Sequence, residues 1–281
     1  VISLEEILKA IYVLLISPTV VYLVLFWLIP LINILIMSFT QGESFILGQP
    51  EYVGLQNYFT VIGEYYSTVI NTILFPLSAA TIDFILGYPL AYLLVRRRIL
   101  FRNVLRASLI FPYFGDIYVS YGLWNMFLPG GPFDWFFNIT GLSYKQILYT
   151  PYAVILDFSI FTLPFMVLYT ASSLSEIDPA IEEAAYTLGA SPLKTFFKVI
   201  LPLSAPGAVA GFIACFGWNL GGFLIPLLLG GVEASNVITV KIVYLTLQLH
   251  NYGLASSLAI ILMIMTIIST YLTLKITRVV G

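Results

Sequence analysis

Long apolar blocks alternate with short polar connections along the whole chain. Six blocks reach the roughly 20 apolar residues that a helix needs to cross a bilayer: residues 11–39, 67–95, 104–128, 149–171, 203–229 and 253–276. They predict an all-α integral membrane protein with six transmembrane helices, in a single domain over residues 1–281. The polar connection 172–202 differs from the others, because it carries helix-start and helix-stop signals of its own. Asp178-Pro179 reads as an N-cap followed by proline at the first helical position. Gly189 fits a stop, since glycine alone enters the left-handed region without steric cost. Ser191-Pro192 restarts a helix by the same cap-then-proline logic. The expectation is two short helices joined by a glycine elbow.

The first block is longer than a signal peptide's apolar core, and no small-x-small cleavage site follows it. It therefore reads as a spanning helix, with Pro18 and Pro30 inside it. Ser3-Leu4-Glu5-Glu6 reads as a capping box ahead of it. Orientation follows from the basic residues. Alternate connections place Lys9, Arg96, Arg97, Arg98, Arg102, Arg106, Lys194, Lys198, Lys275 and Arg278 on one side, and only Lys145 and Lys241 on the other. Basic residues stay on the cytoplasmic side, so both termini and the 172–202 loop are expected in the cytoplasm. The opposite connections hold Gly48-Gln49-Pro50, Pro129-Gly130-Gly131-Pro132 with Trp135, Phe136 and Phe137, and Gly230-Gly231. The aromatics suit interfacial anchoring.

Composition agrees and removes several functions. The chain is 60% hydrophobic and 9% charged, against about 25% charged in soluble domains. The lone Cys215 excludes an internal disulfide, and the lone His250 leaves a catalytic triad or zinc site unsupplied. No lysine follows a glycine anywhere, so there is no P-loop. The chain is not expected to be an enzyme, and neither a cofactor nor a metal is expected in it.

Three carboxylates fall inside predicted spans: Asp83, Asp116 and Asp157. An ionised carboxylate at a helix centre costs roughly 2.5–3.5 kcal/mol, so such groups face a cavity or a partner. Tyr113, Asp116, Ser120 and Trp124 follow i, i+3, i+7, i+11 and would share one helix face. That face suits a cation, through carboxylate and rings, and equally a sugar. Trp218-Asn219 ahead of Gly221-Gly222 marks a bend or close approach near a transport path. By its neighbours in sequence, Asp83 has the fewest polar partners of the three.

The loop 172–202 resembles the cytoplasmic signature of the permease subunits of bacterial and archaeal ABC importers. Glu183-Ala184-Ala185, three further residues and Gly189 match it, and Val199-Ile200-Leu201-Pro202 is similar to its Ile-x-Leu-Pro ending. Gly87-Tyr88-Pro89-Leu90-Ala91, Leu163-Pro164-Phe165-Met166 and Gly253-Leu254-Ala255-Ser256-Ser257 are similar to other family segments. Leu188-Gly189-Ala190-Ser191 and the Leu227–Gly231 run look like the spermidine/putrescine branch, whereas Val53-Gly54-Leu55-Gln56-Asn57-Tyr58 looks like sugar permeases.

The resemblance implies a type I importer permease fold in the plasma or inner membrane. It implies a second permease subunit, ATP-binding cassette subunits that carry the ATP, and an external substrate-binding protein. It makes the loop a coupling helix, with Glu183, Ala184, Ala185 and Gly189 docking the ATPase. Asp116, Asp157, Tyr113, Ser120, Trp124, Trp218, Asn219 and Asp83 are the candidates for the substrate path. An ion-coupled secondary transporter using the three aspartates is the rival reading.

Overall fold

The computed structural model describes residues 4–97, 102–110, 115–140, 146–231 and 236–280. The described residues are mostly helical, and a lone antiparallel bridge joins Thr40 to Tyr52. Among the described residues, five helices are long and apolar enough to cross a membrane: Leu14–Met37, Tyr66–Arg96, Pro151–Glu176, Pro192–Leu220 and Tyr252–Ile276. Contacts divide the chain into two units. One comprises Val1–Tyr65 and Ile242–Ile261, the other Tyr66–Lys241 and Leu262–Gly281.

In the first unit, helix α1 (Leu4–Leu23) passes through a π-turn at Val24–Leu28 into α2 (Ile29–Met37). The π-turn has a local cause. Pro30 has no N–H for the Phe26 carbonyl and its ring crowds that carbonyl, so the ladder widens and the Ile29 N–H donates to Val24 instead. Large apolar side chains such as Leu15, Tyr22 and Phe26 stand exposed on this rod. That is the expected state of a helix whose solvent is lipid. Beyond it, Asn57 on α3 (Gln56–Glu64) donates to the carbonyls of Ser38 and Thr40, both at 2.9 Å. Gly253 donates to Gly42 at 3.1 Å, and a Cβ at Gly253 would strike the Thr40 carbonyl. The absence of a side chain there is what lets the loop lie on the start of the last helix. The Ser3 capping box lies outside the described residues.

The second unit is built on α4 (Tyr66–Arg96), α8 (Pro151–Glu176) and α11 (Leu201–Leu220), which pack on one another. Small residues set the approach. A Cβ at Gly87 would lie 3.0 Å from Met166 Cγ, and one at Gly211 2.9 Å from Tyr169 Cβ; one at Gly207 would overlap Ser173. In lipid the tails are as apolar as leucine, so helices associate through close packing and hydrogen bonds rather than through water exclusion. The basic cluster has structural duties at the helix ends. Arg96 donates to the carbonyls of Leu174 and Ile177, and Arg102 donates to that of Leu94. These groups satisfy the last carbonyls of α8 and α4 and place cations at the negative ends of their dipoles.

Two sequence expectations are corrected. The third block, 104–128, is not one continuous helix. Helix α5 (Arg102–Ser108) gives way to a turn at Leu109-Ile110, and Gly115, at φ 102°, precedes α6 (Asp116–Phe127), which α7 (Pro132–Thr140) follows. Twelve residues span only about 18 Å. Gly115 holds a backbone conformation that other residues rarely adopt. The second correction concerns the elbow. Its second arm is not a separate short helix: α10 (Pro192–Thr195) runs through a π-turn at Phe196–Ile200 straight into α11. Pro202 displaces the ladder here as Pro30 does earlier, and the Leu201 N–H reaches back to Phe196.

Candidate functional site

The first arm of the elbow is α9 (Pro179–Thr187). The Asp178 carboxylate caps it by accepting from the Ala180 N–H at 2.9 Å, with Pro179 at the first helical position. Gly189 closes it at φ 83°, where its N–H donates to Tyr186 and the Ala190 N–H donates to Ala185. Those two bonds are a Schellman stop, which satisfies the last carbonyls in the left-handed geometry that glycine adopts without strain. Ser191 then accepts from the Lys194 N–H and starts α10.

Adjacent acids on α9 have opposite environments. Glu183 is exposed, and its carboxylate has no partner among the described residues. Glu182 is buried, and its Oε1 accepts from Tyr92, from Tyr186 and from Arg97. The hydroxyls of Tyr186 and Tyr92, which also accept from Arg97, hold that guanidinium protonated more firmly than usual. Beyond Glu183 the same end of the unit presents apolar side chains to solvent. Leu188 is 88% exposed and Leu193 73%, and they flank the Gly189 turn, with Phe197 also exposed. Ala184 lies on the exposed side of α9 and Ala185 is half-buried.

The intramembrane candidates fall into two clusters. Asp83 on α4 is fully buried and accepts from Ser159 and Thr162 of α8, both at 2.6 Å. Asn219 of α11 donates to the same Thr162 hydroxyl at 3.1 Å. One polar knot therefore joins the three packed helices. Asp83 is better supplied with polar partners than its sequence neighbours suggest, because those partners come from another helix. In the second cluster Ser120 of α6 donates to Asp157 of α8, and both are buried. The other carboxylate oxygen, Oδ1, has no partner among the described residues. Asp116 is the first residue of α6, half-exposed, at the positive end of the helix dipole. It is not in the middle of a span. Tyr113 lies outside the described residues.

The remaining candidates are rings. The Trp124 indole donates to Tyr149 at 3.3 Å and stacks on Tyr121 at 5.7 Å. Trp218 and Asn219, neighbours in sequence, diverge. Asn219 enters the polar knot, whereas Trp218 is exposed and stacks on Phe165 at 5.7 Å. The expected bend at Gly221-Gly222 is present: α11 ends at Leu220, Gly222 abuts the Phe158 ring, and a short helix, Leu224–Leu229, follows. In this structure neither Asp83 nor Asp157 reaches the surface.

Residues 7–278 match the family described as "Binding-protein-dependent transport system inner membrane component". The chain belongs to this family of transport permeases. The resemblance carried by Glu183-Ala184-Ala185 and Gly189 is thus borne out. The permease is 30% identical over 246 residues to the spermidine/putrescine transport system permease protein PotB of Escherichia coli, covering 85% of this chain and 88% of that one. It is 28% identical over 275 residues to the trehalose/maltose transport system permease protein MalF of Thermococcus litoralis, covering 94% and 92%. Its fold is similar to a chain of a bacterial alginate ABC transporter in complex with its oligosaccharide-bound periplasmic protein. The TM-score is 0.74 at 20% identity, with 98% and 97% of the two chains covered. This likeness agrees with the type I importer permease architecture. Membership in the family removes the secondary-transporter reading of the aspartates.

Sequence reasoning assigned Glu183 and missed Glu182, Arg97, Tyr92 and Tyr186. Arg97 counted only as a topology charge, and Tyr92 lies some 90 residues upstream of Glu182. The available signal was the pair Glu182, Tyr186 at i, i+4 on one helix face, which shows that Glu182 and Glu183 point different ways.

Proposed function

We propose that this permease forms one half of the translocation path of an ATP-driven importer. The path serves a small hydrophilic solute, polyamine-like, delivered by an external binding protein. A second permease subunit, identical or related, completes the path, and two ATP-binding cassette subunits dock from the cytoplasm, where both termini lie. The ATP is theirs, and the permease itself binds no cofactor.

The observation that carries the docking assignment is that one glycine-closed helix presents both Leu188, 88% exposed, and the Glu183 carboxylate, exposed and without a partner among the described residues. A largely exposed apolar side chain and an exposed carboxylate on one short helix suit an interface better than a solvated loop. Ala184 permits close approach, and Gly189 aims the turn. A polyamine is favoured by Asp116, the half-exposed carboxylate at the start of α6, and the name of the PotB relative points the same way. A sugar is the second reading, favoured by the exposed Trp218 stacked on Phe165 and by the name of the MalF relative.

The test is co-purification with the ATPase subunit. Glu183→Ala and Gly189→Val should each lose the ATPase and abolish uptake, while the permease still inserts. Gly189→Asn should retain part of both, since asparagine tolerates the left-handed turn. Normal assembly and uptake in Gly189→Val would end the docking assignment.

A further inference from the structure

Docking alone does not move a pore; the docked helix has to carry membrane helices with it. A direct side-chain tie joins α9 to a spanning helix. Glu182 Oε1 lies 2.9 Å from the Tyr92 hydroxyl, 3.1 Å from Arg97 Nη2 and 2.7 Å from the Tyr186 hydroxyl. Tyr92 belongs to the last turns of α4, and Arg97 follows it directly. Arg97 bridges the remaining members, donating to both tyrosine hydroxyls and lying 5.9 Å from the Tyr92 ring centre. Three donors on one buried carboxylate oxygen make a charge-assisted network, and such a network holds geometry more firmly than a single surface pair. Tyr92 also meets the Phe196 ring edge-on at 5.1 Å, which brings the π-turn before α11 into the same assembly.

We propose that Glu182 and Arg97 are positioning residues that lock the docking helix to the second span. On this reading α9 and α4 move as one body when the ATPases close. Glu182 is then not part of the docking face, although it adjoins Glu183 in sequence. Glu183 grips the partner and Glu182 transmits the pull. The inference rests on the docking assignment above but makes a separable claim.

The experiment uses the permease assembled with its ATPase and binding protein in liposomes. Variants are Glu182→Gln, Tyr186→Phe, Arg97→Glu and the exchange Arg97→Glu/Glu182→Arg. The single charge variants should keep stoichiometric ATPase co-purification and basal ATP hydrolysis. They should lose about tenfold or more of the stimulation by loaded binding protein and of uptake, as expected for a coupled pair. Tyr186→Phe, the mildest change, should show a smaller loss of the same kind. The exchanged double variant should recover to within about threefold of the parent. Unchanged stimulation in the singles, or an exchange no better than they are, would overturn the proposal. So would loss of the ATPase in Glu182→Gln, which would make Glu182 a docking contact. Glu183→Ala run alongside separates the two claims. If it too retains the ATPase and uptake, the docking assignment has failed; if it alone loses them while Glu182→Gln behaves as the parent, the lock has failed.

Discussion

Thr162 of α8 holds its hydroxyl 2.6 Å from the Asp83 carboxylate of α4, and the same hydroxyl accepts from Asn219 of α11. One side chain thus links all three packed helices through a carboxylate that has no contact with the surface. Asp83→Asn should be tolerated, because an amide can accept from one hydroxyl and donate to the other. The expected loss is under about 1 kcal/mol, in line with interhelical bonds measured in membranes. Asp83→Leu leaves Ser159, Thr162 and Asn219 to repartner and adds bulk, and should cost about 2 kcal/mol or more. Detergent unfolding of the purified permease reads both. Equal midpoints for the two variants would show that the knot contributes nothing.

Gly207 of α11 sits so close to Ser173 of α8 that a Cβ would overlap it. Gly207→Val should lower stability by about 2–3 kcal/mol through overpacking. Ser173→Ala alone should be nearly neutral, since its hydroxyl lies 3.5 Å from the Ser204 carbonyl, at the limit of a hydrogen bond. Combining the two should not restore the loss, because the alanine methyl still occupies the contact. Thermal unfolding in detergent checks the ordering.

Asp116 begins α6 half-exposed, while Asp157 is enclosed beside Ser120. If the solute is a di- or triamine, Asp116→Asn should reduce uptake about tenfold, the size of one lost charge-assisted contact. The stability cost should stay near 0.5 kcal/mol, the worth of a carboxylate at an exposed helix start. Asp157→Asn should act mainly on stability. Uptake unchanged in Asp116→Asn would remove that residue from the path and favour the sugar reading, which Trp218→Ala would then test.

The apolar blocks, the alternating basic connections and the caps at Asp178, Gly189 and Ser191 were readable from the chain alone. Each rests on local physics: a hydrocarbon thickness, a backbone that has to satisfy itself, a proline without an N–H, a glycine free to turn left. The motif that carries the family resemblance was equally legible, because its residues are contiguous. Where local signals were incomplete, the reading strayed. Pro112 and Gly115 are breakers within residues 104–128, but membrane helices tolerate both residue types, so they did not by themselves distinguish a continuous helix from a broken one. Pro192 looked like the start of a short helix although Pro202 merely widens the ladder into a π-turn.

What only the tertiary structure decided is which polar groups meet. Asp83 finds Ser159 and Thr162 across 76 and 79 residues, and Glu182 finds Arg97 across 85. Glu182 and Glu183 are adjacent in the chain, and the i, i+4 spacing of Glu182 and Tyr186 indicates their divergence but not the groups each one meets. The helix turn of about 100° between them sends one carboxylate into a cluster of donors and leaves the other exposed. The distinction depends on where α4 ends against α9, and helix packing sets that, not the sequence around either acid.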